Sequence, residues 1–148
     1  MAAALNRFIS RSADKCRTFF LLINKWKNFE WTEECAKAFQ QLKDYLGQPP
    51  IMSSLEPDEV LFAYIAVAPY AVSLVLIRVD NGMPVYYVSK SLHEAEVRYL
   101  PLEKAILAVV LDTRKLPHYF QAHIVVVLTQ LPLKTILRST DYTRRIAK

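Results

Sequence analysis

The chain has 148 residues, 53% of them hydrophobic and 22% charged, a balance that suits one domain with a single sizeable core and excludes a disordered chain. No apolar run reaches the roughly 20 residues of a membrane span without a charge or proline, so no membrane insertion is expected. The net charge of +5 is uneven: residues 1–28 carry six Lys/Arg and one acid, and residues 114–148 carry seven and one. Six basic and twelve acidic residues are left between them. Basic ends on an acidic centre can serve nucleic acid, and they also describe ordinary solvated helix faces.

In chain order, Leu5, Phe8 and Ile9 share one helical face and Cys16, Phe19, Phe20 and Ile23 share another. Ser12 is the expected N-cap of the second helix, with Asp14 in its first turn, where negative charge is favoured. The same stretch, MAAALNRFISRSADKCRTFF, is Arg- and Ser-rich, acid-poor and amphipathic. That is the pattern of a mitochondrial presequence as well as of a structural helix. Thr32 caps the clearest helix. Glu33 and Glu34 complement its dipole, Ala36, Phe39, Leu42 and Leu46 form its apolar stripe, and Gly47 is a natural C′ residue before Pro49 and Pro50. Cys16 and Cys35 lack metal-site spacing and read as reduced core thiols.

Val60–Ala68, Ala71–Val79 and Val85–Ser89 are nearly continuous apolar runs of strand length, as expected of strands buried on both faces. Asp80-Asn81-Gly82 between the last two predicts a tight primed hairpin turn. A polar linker over residues 51–59 leads into this meander. Pro101 suits the first turn of a long helix to about Lys115, with Leu102, Ile106, Val109 and Val110 facing the sheet and Leu107 and Leu111 widening the stripe. Leu116–Gln121 reads as a short helical turn. His123–Leu128 reads as a fourth strand, which after a helix can pair parallel to the first. Leu131–Arg138 and Tyr142–Lys148 read as helices. Gly47 and Gly82 are the only glycines, so no Gly-rich phosphate or dinucleotide cradle is formed, and no cofactor is implied.

The passage LFAYIAVAPYAVSLVLIRVDNGMPVYYVSKSLHEAEVRYLPLEKAILAVV resembles the ribonuclease H-like domain that follows reverse transcriptase in gypsy-type long-terminal-repeat retrotransposon polyproteins, especially plant ones. The resemblance continues upstream through LNRFISRSADKC and FEWTEECAKAFQQLKDYL and downstream through KLPHYFQAHIVVVLTQLPLKTIL. It implies an α/β (mixed α+β) fold, with three antiparallel strands, a parallel fourth and flanking helices. A helical connection segment would occupy residues 1–50, and a ribonuclease H-like domain residues 51–148. That family adds a fifth strand and a helix, for which no residues remain, so a C-terminally truncated fold is expected. By family the compartment is cytoplasmic or nuclear, and the N-terminal pattern leaves a mitochondrial one open.

The resemblance also implies where chemistry belongs. The family activity needs about four carboxylates holding two divalent metals roughly 4 Å apart. The Asp of the family's Tyr-Thr-Asp-Ala-Ser segment falls on Ala66, and the Glu of the long helix is kept as Glu103. The Asp of its Thr-Asp-His-x-Pro-Leu segment falls on Thr129, and Ala71 and Ser73 replace two flanking glycines. Apolar side chains supply no ligand to a hard cation, so a catalytically inactive domain, without metal or catalytic residues, is expected. It would act through a protein partner or a second copy, or else through nucleic-acid contacts. Contacts to an RNA–DNA hybrid backbone would come from Arg7, Arg11, Lys15, Arg17, Lys134, Arg138, Arg144 and Arg145. Asp80 and Asp112 are not expected to substitute, one being in a turn and the other far along the helix. His93, His118 and His123 do not converge in sequence.

Overall fold

The computed structural model describes residues 6–17, 21, 30–48, 52 and 54–134. Three strands, β1 (Val60–Val67), β2 (Ala71–Arg78) and β3 (Pro84–Ser91), form the expected antiparallel meander. A fourth, β4 (Ile124–Leu128), pairs parallel with β1, giving the order β3-β2-β1-β4. This is the mixed sheet with flanking helices that the resemblance implies. His123 is not part of β4. Its ring Nδ1 lies 3.1 Å from the Glu59 carbonyl oxygen, tying the start of β4 to the start of β1.

Burial of β1 is one-sided where two-sided burial is expected. Along β1, Leu61 and Ala63 are fully buried, whereas Val60, Tyr64 and Ala66 on the opposite face are exposed. The buried face carries the core: Leu61, Ala63, Leu74, Leu76 and Val88 pack with Leu116. The long helix begins at Pro101, as expected, and lies on that face. Among the described residues the helices are, in chain order, α1 (Ser12–Lys15), α2 (Glu33–Gly47), α3 (Glu94–Val97), α4 (Pro101–Lys115) and α5 (Pro117–Ala122), after a 3-10 turn at Asn6–Phe8. Ala105, Ile106 and Ala108 of α4 are buried, the two small alanines letting the helix approach the sheet closely. Among the described residues no helix is long and apolar enough to cross a membrane.

Several local expectations are corrected. The β2–β3 connection is not a two-residue primed turn. It spans residues 79–83 with Gly82 at φ +67 and no positive φ at Asn81, whose side-chain oxygen instead accepts the Met83 N–H at 2.9 Å. The Asn side chain thereby does the work expected of its backbone. The N-cap of α1 is Arg11, in the left-handed region at φ 52, and Ser12 is the first helical residue. Thr32 does cap α2, its hydroxyl accepting the Cys35 N–H, but the stripe of α2 is not buried as a unit. Cys35 is its one buried residue, while Phe39 is 49% exposed and meets Trp31 edge-to-face. Gly47 ends α2 as a helical residue rather than serving as C′, and Gln48 is the C-cap. Both cysteines are free and buried, as expected. Of the helix expected over Leu131–Arg138, Leu133 and Lys134 are helical while Leu131 and Pro132 are not; its remainder, the helix expected over Tyr142–Lys148, and Phe19, Phe20 and Ile23 lie outside the described residues.

The segment around α1 covers the other face at the β3 edge. Ile9, Ala13 and Cys16 are buried, and the Ala13 N–H donates to Ser89 Oγ at 3.1 Å. If α4 holds the sheet through its close-packed side, Ile106→Ala should cost about 2–5 kcal/mol in urea unfolding.

Candidate functional site

Topology brings the three family site positions to one end of the sheet, though not to one face. Because β1 and β4 run parallel, with Tyr64 opposite Leu128 as the last pair, Ala66 and Thr129 lie two residues and one residue beyond it at the C-terminal ends of these strands, Ala66 on the exposed face. Helix α4 starts at the same end. Its residues Ala105 and Ile106 pack with Ile65, Val67 and Leu131, and Lys104 Nζ donates to the Pro69 carbonyl at 2.9 Å. Glu103, in the first turn of α4, is thus carried to the end of the sheet where residues 66 and 129 lie.

The side chains at those positions are otherwise engaged or inert. Ala66 presents a methyl group to solvent. Thr129 Oγ1 accepts the Leu131 N–H at 3.1 Å, closing a local turn. Glu103 Oε2 accepts the Leu100 N–H at 2.9 Å, the backward half of a capping box, where a carboxylate also complements the helix dipole. Two divalent cations need several hard oxygen ligands, and this donor set does not fit them. Among the described residues there is no group of three or more His, Cys, Asp or Glu placed to hold a metal ion. Glu103 is therefore more than the surface charge its sequence suggests. The cue was its place three residues after the helix entry, with Pro101 at the first helical position.

The three histidines sit on separate elements. Asp80 pairs with Arg78 at 3.0 Å in the turn. Arg78 also pairs with Glu59, and its guanidinium donates to the Ser54 carbonyl at 3.3 Å. Asp112 departs most from expectation. It is 2% exposed, one carboxyl oxygen has no hydrogen-bond partner, and burial pushes its pKa up to about 7, against a small opposing pull from Lys115. The helical spacing already carries the cue, because residues 105, 108 and 112 share one face of α4.

The basic residues divide into separate groups. Arg7 lies over the Phe8 ring, Lys15 over Tyr45 at 3.7 Å and Arg17 over Tyr70 at 3.9 Å, while Arg11 bridges to Asp14 at 2.9 Å. Burial, and then the Arg11 charge, lower the pKa of Lys15. These four belong to the segment that packs beside β3. Lys134 sits by the opposite edge of the sheet, at the rim of an apolar cavity of about 490 Å³ lined by Val109, Val127 and Leu131. Arg138, Arg144 and Arg145 lie outside the described residues. A further surface went unpredicted: Val60, Tyr64, Ile124 and Val126 form an exposed apolar ladder on β1 and β4, with Ile124 68% exposed.

Residues 31–127 match the family described as the RNase H-like domain found in reverse transcriptase. The retrovirus-related Pol polyprotein from transposon 412 of Drosophila melanogaster is 26% identical over 147 residues, covering 96% of this chain and 12% of the polyprotein. The transposon Tf2-3 polyprotein of Schizosaccharomyces pombe is 24% identical over 123 residues, covering 81% of this chain and 9% of the polyprotein. The chain thus spans a small part of the relatives it matches. In fold it is similar to the foamy viral protease-reverse transcriptase dRH in complex with double-stranded DNA (TM-score 0.79, 16% identity, 98% of this chain and 27% of that one). A structure of the foamy viral protease-reverse transcriptase in complex with an RNA/DNA hybrid gives a TM-score of 0.78 at 16% identity, covering 99% of this chain and 21% of that one.

With its folded pKa raised to about 7 from the ordinary 3.8, Asp112 holds its proton more tightly in the folded chain than in the unfolded one. Its favourable contribution is complete below about pH 4 and is lost as pH rises through 7. Asp112→Asn, which mimics the protonated form, should therefore be more stable than the parent at pH 8 by a few kcal/mol in chemical denaturation, and about equal to it at pH 4.

Proposed function

The chain belongs to the RNase H-like domain family found in reverse transcriptase, and on that premise we propose that it is a non-catalytic module of retrotransposon origin that acts through protein contacts. Residues 1–50 would be its connection segment and residues 51–148 its ribonuclease H-like unit. The observation that supports this proposal is the state of the side chains at the three positions. Ala66 has no ligand atom, Thr129 is engaged in its own turn, and the Glu103 carboxylate caps its own helix. Metal-assisted hydrolysis of a phosphodiester needs a pair of cations stabilising both the attacking and the leaving oxygen, and one capping carboxylate does not assemble them.

Surface then takes the place of chemistry. The exposed ladder of Val60, Tyr64, Ile124 and Val126 adjoins β4, an edge strand among the described residues, the kind of apolar, hydrogen-bond-hungry surface that favours contact with another chain. The basic N-terminal segment supports a second mode, contact with a nucleic-acid backbone, as do the two foamy viral structures, which are complexes with double-stranded DNA and an RNA/DNA hybrid.

Incubation of the purified chain with an RNA–DNA hybrid and magnesium or manganese should release no product above a Glu103→Gln control. Turnover that the control abolishes would overturn the proposal. Light scattering after size exclusion should show association with itself or a partner that Ile124→Lys weakens, and a strict monomer without partners would count against it. Where the hybrid is bound, log affinity should fall linearly with log salt, and Arg11→Ala with Arg17→Ala should reduce that slope by about two.

A further inference from the structure

Asp112 and Lys90 are both among the residues that line one cavity of about 10 Å³ between α4, β2 and β3. Lys90 is bound to Glu96 of α3 at 2.5 Å, and the same Glu96 accepts the His93 N–H at 2.9 Å. Helix α3 is one turn long and has no buried residue; its cap closes its own first turn, and the Lys90–Glu96 pair is the side-chain bond that ties it to β3. Burial works against the ionised Glu96, but its bonds from Lys90 and His93 more than compensate, and its pKa falls below the ordinary value. Opposite it, one Asp112 oxygen has no partner.

We propose that Asp112 and Glu96 compete for Lys90, so that ionisation of Asp112 draws the ammonium across the cavity and releases α3 from β3. The cavity wall from β2 carries no ionisable side chain, β3 supplies Lys90 alone, and α4 supplies Asp112. From its own helix Lys115 pulls on Asp112 in the opposite sense, and burial outweighs it. When Asp112 loses its proton, an unpaired charge stands 2% exposed, and Lys90 is the only cation lining the same space. A buried charge without a partner is far costlier than a carboxylate that can regain water. Glu96 retains some side-chain exposure, 16%, and sits on a one-turn helix that can lift outward. The deeper carboxylate therefore takes the ammonium. The long flexible stem of lysine allows the move without a backbone shift in β3. The proton leaves to solvent, and no other bond is made or broken. The segment released joins β3 to α4, whose first turn carries Glu103, so the change reaches the end of the sheet where the family site lies.

The test is hydrogen exchange of the full chain by NMR across about pH 5–9, corrected for intrinsic base catalysis, at the amides of Val97 and Tyr99, which bond His93 O at 2.9 Å and Glu96 O at 3.1 Å. Their protection should fall several-fold as Asp112 titrates. It should stay level in Asp112→Asn and be low at every pH in Lys90→Met. An equal fall in Asp112→Asn, or no fall in the parent chain, overturns the proposal. If Asp112→Asn fails to fold, the parent decides alone. The Asp112 Cγ and Lys90 Nζ resonances must then share one midpoint, and independent titration of the two overturns the exchange.

Discussion

The contact on which the rest of the molecule depends is the close packing of α4 on one face of β1 and β2. Ala105 and Ala108 have side chains small enough for the helix to lie close against the strands, and Ile106 fills the space beside Ile65, Val67 and Val127. That seating fixes where the helix begins. It brings Glu103 to the C-terminal end of β1, and it directs the chain through α5 back to β4 beside β1. The parallel pairing of β1 with β4 follows from the return path, as a helical crossover requires.

One consequence is that the end of the sheet where the family resemblance places its site is formed without the donors that site would need. Positions 66, 103 and 129 reach the same end of the sheet because strands and helix must pack, and packing is indifferent to whether position 66 bears a methyl or a carboxylate. Glu103 shows how a retained residue can be held by a different physical need. Its carboxylate satisfies a helix-terminal N–H that would otherwise lack a partner. The same seating puts Asp112 on the buried side of α4, where its charge is costly, and leaves the outer face of β1 and β4 open as an apolar surface.

Much of this was legible beforehand, because it rests on short-range pattern. The strand runs, the Pro101 entry of the long helix, the Thr32 cap and the parallel fourth strand follow from period, turn chemistry and capping within a few residues. What failed did so where a distant contact decides. Two-sided burial of β1 was expected from a continuous apolar run, yet composition alone cannot say whether anything covers the second face. The stripe of α2 was drawn from spacing, but Phe39 found Trp31 at the surface instead of a core. The turn after β2 was short in expectation and longer in fact, because the Asn81 side chain bonds Met83 and no positive φ is needed at Asn81.

The sequence by itself determined the element order, the family, and the identity of the side chains at positions 66, 103 and 129, since periodicity, motif and residue type are all local and chemical. That Glu103 is a cap, that Asp112 is buried with an oxygen unpartnered, and that Val60, Tyr64, Ile124 and Val126 stay exposed follow from packing that only the folded chain sets. Burial, and with it the effective charge of a carboxyl, is set by which other segments arrive alongside, and neighbours along the chain do not carry that information.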